Sequence, residues 1–274
     1  MSHHLFHHKR PQPVTSAGQL VRHLRREAGL SQLDLALRAG VSQRHLSCVE
    51  TGRAKPSTST LHAILSTLGA PLDRCNEVFL AAGYAPRYAA TSLDAPALEM
   101  VHTAIDHILR ANNPAPAIVI NSNWDITAAN VSTGLLLAIA GVEQDLASGF
   151  NLLETLLCSG GLGDRLANSQ EIRGAAWQRA SRESVSNPAL AKRLRDLPAP
   201  AVALPAPSVN PLLLTRVCTP NGELSFLSTF TTFGMPLDIT VESLRIEHLI
   251  PADVITRRRM MQAYDDWSAK SGQS

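Results

Sequence analysis

Over residues 16–82 apolar side chains return every three or four positions in short runs broken by glycine or proline, the pattern of small amphipathic helices. Leu20, Val21 and Leu24 make an inward stripe on a helix predicted over Ala17–Glu27, with Arg22, Arg25 and Arg26 outside and Gly29 ending it. Ser31 stands at an N-cap position with Asp34 three residues on, a capping-box arrangement that opens a second helix carrying Leu35, Ala36 and Ala39 on one face. Gly40 supplies the positive φ of a sharp turn, and Val41 fills the corner. Ser42 then caps a third helix whose Leu46 and Val49 face inward, leaving Gln43, Arg44, Ser47 and Cys48 on the outer side. A fourth helix opens near Ser57 with Leu61, Ile64, Leu65 and Leu68, and a fifth spans residues 72–82 after Gly69-Ala-Pro71.

The pattern changes after residue 90. Residues 95–111 read as a helix with Leu98, Val101, Ile105, Ile108 and Leu109 on one face. Residues 117–130 read as two short strands around Asn121-Ser-Asn123, after which Asn130 caps a helix to Ile139. Residues 150–197 are helical, with Asn151 as a cap and Trp177, Val185, Leu190 and Leu194 facing inward. Pro198-Ala-Pro200 and Pro205-Ala-Pro207 punctuate a loop. Residues 212–218 and 223–233 pair about Pro220-Asn-Gly222, and Pro236-Leu-Asp-Ile-Thr240 leads to a last strand over residues 243–250.

Charge sharpens this division. The chain has 274 residues and a net charge of only +2, but residues 1–90 hold 11 Lys and Arg against 5 Asp and Glu, whereas residues 91–274 hold 14 against 18. The basic excess therefore lies with the short helices, as expected of a nucleic-acid-binding half. Cys48, Cys75, Cys158 and Cys218 are widely spaced with no C-x-x-C, so neither a zinc site nor a disulfide framework is indicated. No apolar run approaches the roughly 20 residues of a membrane span, and no secretory signal pattern is present, so a soluble cytoplasmic protein with no membrane partner is expected.

The run Gly29 to Gly52, with its exit Val49-Glu-Thr-Gly-Arg-Ala-Lys-Pro56, resembles the helix-turn-helix of the Xre family of bacterial and phage repressors. The resemblance implies double-stranded DNA as partner. Gln32 would touch phosphate or a base edge, Gln43 and Arg44 would read bases, and Thr51, Arg53 and Lys55 would hold phosphate. Ser42, Ser47 and Cys48 complete the surface offered to the groove. The chemistry agrees, because Gln pairs bidentately with adenine and Arg with guanine in the major groove. One recognition helix covers only a few base pairs, so a homodimer on an inverted repeat is expected. In the family the counterpart of Glu50 pairs with an arginine of the first helix, for which Arg25 is the match. Exposed, such a pair is worth under about 1 kcal/mol.

Farther on, Phe79-Leu-Ala-Ala-Gly-Tyr-Ala-Pro-Arg-Tyr88, the stretch Phe226 to Thr240, and Pro251-Ala-Asp253 resemble the MmyB-like subgroup of these regulators. That resemblance implies a PAS-like α+β ligand-sensing domain and an apolar, acyl-like ligand. The expected fold is thus multi-domain: an all-α five-helix helix-turn-helix domain over residues 15–88, then an α+β PAS-like domain with an antiparallel sheet over residues 89–258. A disordered basic, His-rich arm over residues 1–14 precedes them, and a tail over residues 259–274 follows. Trp124, Trp177, Phe226 and Phe230 are the candidate ligand contacts, although each also suits a core.

Other chemistries find little support. Gly160-Gly-Leu-Gly163 lacks the Gly-Lys-Ser/Thr of a phosphate loop. His102 and His107 are five residues apart and so do not share a helical face, the histidines of the arm have no ordered neighbours to fix a metal, and no metal or other cofactor is expected. Self-cleaving repressors use Ser and Lys, and the second half offers only Lys192 and Lys270. No nucleophile, metal set or carboxylate pair indicates an enzyme. The competing role for the second domain is dimerisation or partner binding alone. A cavity of roughly 300 Å³ or more would favour the ligand reading.

Overall fold

The computed structural model describes residues 16–142, 149–201 and 212–271. By their contacts these residues form two units, one of residues up to Ala90 together with Leu237–Glu242, the other of Thr91–Pro236 and Ser243 onward. The arm over residues 1–14 and Pro205-Ala-Pro207 lie outside the described residues.

The first unit contains α1 (Ala17–Glu27), α2 (Gln32–Ala39), α3 (Gln43–Glu50), α4 (Thr58–Leu68) and α5 (Leu72–Ala81). Serine starts four of them. Ser16, Ser31, Ser42 and Ser57 each accept a backbone N–H two or three residues into the helix, with full capping boxes at Ser16 and Ser31. Gly40 sits at φ 66°, so the turn between α2 and α3 costs no Cβ clash. At Gly18 the reason for glycine is different: a Cβ there would lie 2.2 Å from the Val49 carbonyl oxygen, so only glycine lets α1 approach the end of α3. Val21, Leu35, Leu46, Leu61, Ile64, Leu65 and Phe79 fill the core, with Tyr84 and Tyr88 packed against it. The remaining helix, α5, begins at Pro71, which has no capping side chain. Glu242 supplies the acceptor: its carboxylate takes the Leu72 N–H at 2.8 Å, while Ile239 N–H donates to the Ala89 carbonyl.

The second unit holds α6 (Glu99–Asn112), β1 (Ala117–Ile120), β2 (Ile126–Ala129), α7 (Val131–Ala140), α8 (Leu152–Leu157), α9 (Ser169–Glu183), α10 (Pro188–Asp196), β3 (Leu214–Thr219), β4 (Gly222–Thr231), β5 (Arg245–Pro251) and α12 (Val254–Ser271); α11 (Ile239–Ser243) lies between β4 and β5 in sequence. The five strands form an antiparallel sheet of order β2-β1-β5-β4-β3, the expected α+β PAS-like arrangement. One sheet face packs Ala117, Val119 and Ile246 against Ile105 and Leu109 of α6. The other packs Ile120, Ile126, Val217, Leu224 and Phe226 against α7 to α10, because alternate residues of a strand point to opposite faces.

Three expectations are corrected. Arg25 is not on the outside: it is 8 % exposed, because its guanidinium has a buried carboxylate to pair with. Val185, expected inside, is 87 % exposed just past the end of α9, where the helical period no longer applies. The stretch from residue 259 is no tail but most of α12, an 18-residue helix capped by Asp253 whose Met260 is fully buried in the second core.

Candidate DNA interface and ligand cavity

Helix α3 is fixed from below and bare above. Leu46 and Val49 are buried, Gln43 and Arg44 are exposed, and Ser47 and Cys48 are half-buried. What holds the helix at its end is a polar network rather than an exposed pair. Arg25 Nε and Nη2 donate to the two Glu50 oxygens at 2.6 and 2.9 Å, Arg25 Nη1 donates to the Leu30 carbonyl at 2.8 Å, and Gln32 Nε2 donates to Glu50 at 2.8 Å. Burial alone would raise the Glu50 carboxyl, but the hydrogen bonds from Arg25 and Gln32 outweigh it and hold the group below its ordinary range. The bidentate geometry ties α1, α2 and α3 into one body.

Beyond α3 the chain turns tightly, with Arg53 and Ala54 N–H both donating to the Cys48 carbonyl and the Thr51 hydroxyl donating to the Ser47 carbonyl. Thr51, Arg53 and Lys55 are exposed along this turn. Lys55 Nζ sits 4.7 Å over the Tyr84 ring, and the Tyr84 hydroxyl donates to the Pro56 carbonyl at 2.9 Å, so the ammonium is braced rather than free-swinging. The surface therefore juxtaposes Gln43, Arg44, Arg53 and Lys55 on one capped helix and its exit.

In the second unit a cavity of about 90 Å³ lies between the sheet and helices α7, α8 and α9. Ile118, Leu136, Leu137, Phe150, Leu152 and Leu249 are among the apolar side chains of its wall. Its one ionisable lining residue among those described is Glu247, which receives a hydrogen bond from the Ser228 hydroxyl. Enclosure by protein pushes the Glu247 carboxyl up, outweighing the Ser228 hydrogen bond and the pull of Arg179 and Arg245.

None of the four expected ligand contacts lines this cavity. Phe226 is fully buried in the core, and Trp177 packs against the same cluster. Phe230, two residues along the same strand face, is 42 % exposed with the Arg179 guanidinium 4.0 Å over its ring. Trp124 is buried in the left-handed region at φ 66°, held there by Leu152 N–H donating to its carbonyl and by its own indole N–H donating to Glu183 at 2.9 Å. Glu183 also receives Arg179 and Arg245, so these aromatics belong to an ion-pair cluster at the edge of the core. Bulk and aromaticity pointed to them, yet the cavity is walled mainly by aliphatic side chains.

A family profile described as a helix-turn-helix domain matches residues 16–78. A second, described as the MmyB-like transcription regulator ligand binding domain, matches residues 101–263, more than half of the chain. The chain belongs to the MmyB-like transcription regulators. Two curated relatives match a short stretch of the chain: the uncharacterized HTH-type transcriptional regulator y4dJ of Sinorhizobium fredii, 46 % identical over 46 residues, and the immunity repressor protein of Bacillus phage phi105, 39 % identical over 54 residues. These alignments take in 17 % and 20 % of this chain and 60 % and 38 % of the relatives, so the chain spans less than two thirds of either.

This MmyB-like protein therefore joins a helix-turn-helix domain to an MmyB-like ligand binding domain. No helix among the described residues is long and apolar enough to cross a membrane. The residue that sequence reasoning missed is Glu247. Its signal was a lone acid, Arg245-Ile-Glu-His-Leu-Ile250, placed on the same strand face as Leu249, where an apolar side chain would be expected if the face were solid core.

Proposed function

We propose that the protein binds an inverted-repeat operator as a homodimer, with α3 in the major groove, and that a small apolar, acyl-like ligand held by the second unit alters operator affinity. Gln43 and Arg44 read base edges, with Ser42, Ser47 and Cys48 beside them, while Thr51, Arg53 and Lys55 hold phosphate. Gln32 reaches phosphate with the part of its amide that Glu50 leaves free. The single observation that carries this reading is the exposure of Gln43 and Arg44 at the start of a helix whose other end is fixed by the Arg25–Glu50–Gln32 network. The basic excess of residues 1–90 supports it.

Ligand control is supported by the apolar cavity between sheet and helices. Coupling must be reciprocal: a compound that shifts operator affinity tenfold has its own affinity shifted tenfold by operator, about 1.4 kcal/mol in each direction. Native mass spectrometry of the purified protein identifies the occupant, and calorimetry with and without operator measures the coupling. Equal compound affinity in the two titrations would contradict it. A second reading makes the second unit purely an assembly module, and the modest cavity, well below roughly 300 Å³, favours it. Leu137→Phe, which fills the cavity, separates the two: it abolishes ligand response under the first reading and leaves operator binding unchanged under the second.

A further inference from the structure

We infer that the outer face of α12 pairs with the same face of a second copy of this chain, antiparallel and about a two-fold axis between Met261 and Gln262. The inference rests on the homodimer reading and says where the two copies meet. Thr256 and Met260 of α12 are buried, so the helical period puts Val254, Arg258, Met261, Gln262, Asp265 and Ala269 on the opposite side, and all six are exposed. Single exposed apolar side chains such as Val254 and Met261 identify no partner. The order of charge along the helix does. Arg257 and Arg258 stand ahead of the midpoint and Asp265 and Asp266 stand equally far behind it, so reversing the helix exchanges the two signs.

Within one copy these charges cannot serve each other. The two arginines precede the two aspartates by at least seven positions, beyond the three- and four-residue spacing at which helical side chains meet. Among the described residues Arg257, Arg258 and Asp265 have no ion pair, and Asp266 accepts a hydrogen bond from Gln262. Arg259 stands apart, half-buried and donating to the Asn221 carbonyl. Antiparallel pairing sets Arg258 against the partner's Asp265 and Arg257 against the partner's Asp266, while Val254 meets the partner's Ala269. A parallel pair would set each arginine and each aspartate beside its own copy, like charges that repel. An acidic partner would complement only the first half of the face, a basic one only the second, and DNA would meet Asp265 and Asp266. A second copy complements both halves, and an isologous contact makes each pair twice. These charges are exposed, so salt weakens the dimer.

Sedimentation of the full chain without DNA, from about 1 to 100 µM, reads the equilibrium between monomer and dimer. The wild type is expected to dimerise in this range, and more weakly in high salt. Arg258→Asp and Asp265→Arg each bring like charges together twice, and each should weaken dimerisation by about tenfold or more. An equimolar mixture of the two variants should dimerise again, because one then offers acids wherever the other offers arginines. The double variant, Arg258→Asp with Asp265→Arg, should pair with itself and not with wild type. A wild-type dimer indifferent to the single reversals, or a loss that the mixture and the double variant do not recover, overturns the proposal and leaves the homodimer reading intact. A wild type monomeric throughout also overturns it, and unpaired half-sites among sites selected from random DNA would overturn the homodimer reading with it.

Discussion

Arg25 in the first unit and Arg245 in the second are both largely buried arginines beside glutamate, and they end in opposite conditions. The side-on fork of Arg25, Nε and Nη2, is filled by both oxygens of Glu50, and its remaining nitrogen by the Leu30 carbonyl. The same fork of Arg245 has no hydrogen-bond partner among the described residues, while Nη1 bonds Glu183. The bonded acids behave alike, Glu50 and Glu183 both being held below their ordinary range, whereas Glu247, which no arginine bonds directly, is pushed above it by burial. Among the described residues of the first unit, no buried side-chain nitrogen or oxygen lacks a hydrogen-bond partner. Among the described residues the second unit leaves the Nε–Nη2 edge of Arg245 buried without a hydrogen-bond partner, a condition that costs stability.

The largest effect should come from breaking the satisfied network. Glu50→Ala leaves the Arg25 charge buried and unpaired, and should cost about 3–5 kcal/mol in urea unfolding of the first unit, whereas replacing Arg25 and Glu50 together by Met and Leu should cost far less. Equal losses would show that packing, not charge, holds α1 to α3. Along β4 the two phenylalanines should separate: Phe226→Ala costs about 3–5 kcal/mol of stability of the second unit, and Phe230→Ala under about 1 kcal/mol, the worth of its half-exposed contact with Arg179. Similar losses would mean that Phe230 belongs to the core after all.

The acids should also titrate in opposite directions. Glu50 is lowered in the folded state, so its contribution is present above the ordinary value of 4.5 and lost as pH falls through its folded value. Glu247 is raised, so its contribution is fully present below 4.5 and lost as pH rises through its folded value. Thermal melts from pH 7 to pH 3 should therefore show Glu50→Gln flattening the acid-side fall of the first unit. Glu247→Gln should remove a loss on the rising side from the second. An acid-side fall unchanged in Glu50→Gln would remove the network from the account.

Much of the first unit was legible because its devices are local. Ser31 with Asp34, Gly40, Ser42 and Ser57 act within four residues of chain, and each does in the fold what its position implied. The burial of Arg25 was not legible, since helical period put it among Arg22 and Arg26 and only the distant Glu50 pulls it inward. Strand pairing escaped local reading for the same reason. Glu247 meets Ser228 through the β4–β5 register, nearly twenty residues away in sequence, and Glu242 meets Leu72 across 170. Aromatic size misled in the second unit because Trp124 and Phe230 serve an ion-pair cluster with Glu183, Arg179 and Arg245 rather than the cavity.

The claim that α3 reads bases is tested most directly by selecting sites from random DNA with the full chain and with Arg44→Ala and Lys55→Ala. The wild type should return an inverted repeat with half-sites about one helical turn apart. Arg44→Ala should lose preference at one position per half-site, about 1–3 kcal/mol, and Lys55→Ala should keep the full preference while binding every sequence more weakly with a shallower salt dependence. An unpaired half-site would contradict the dimer, and an Arg44→Ala consensus identical to wild type would contradict base reading by α3.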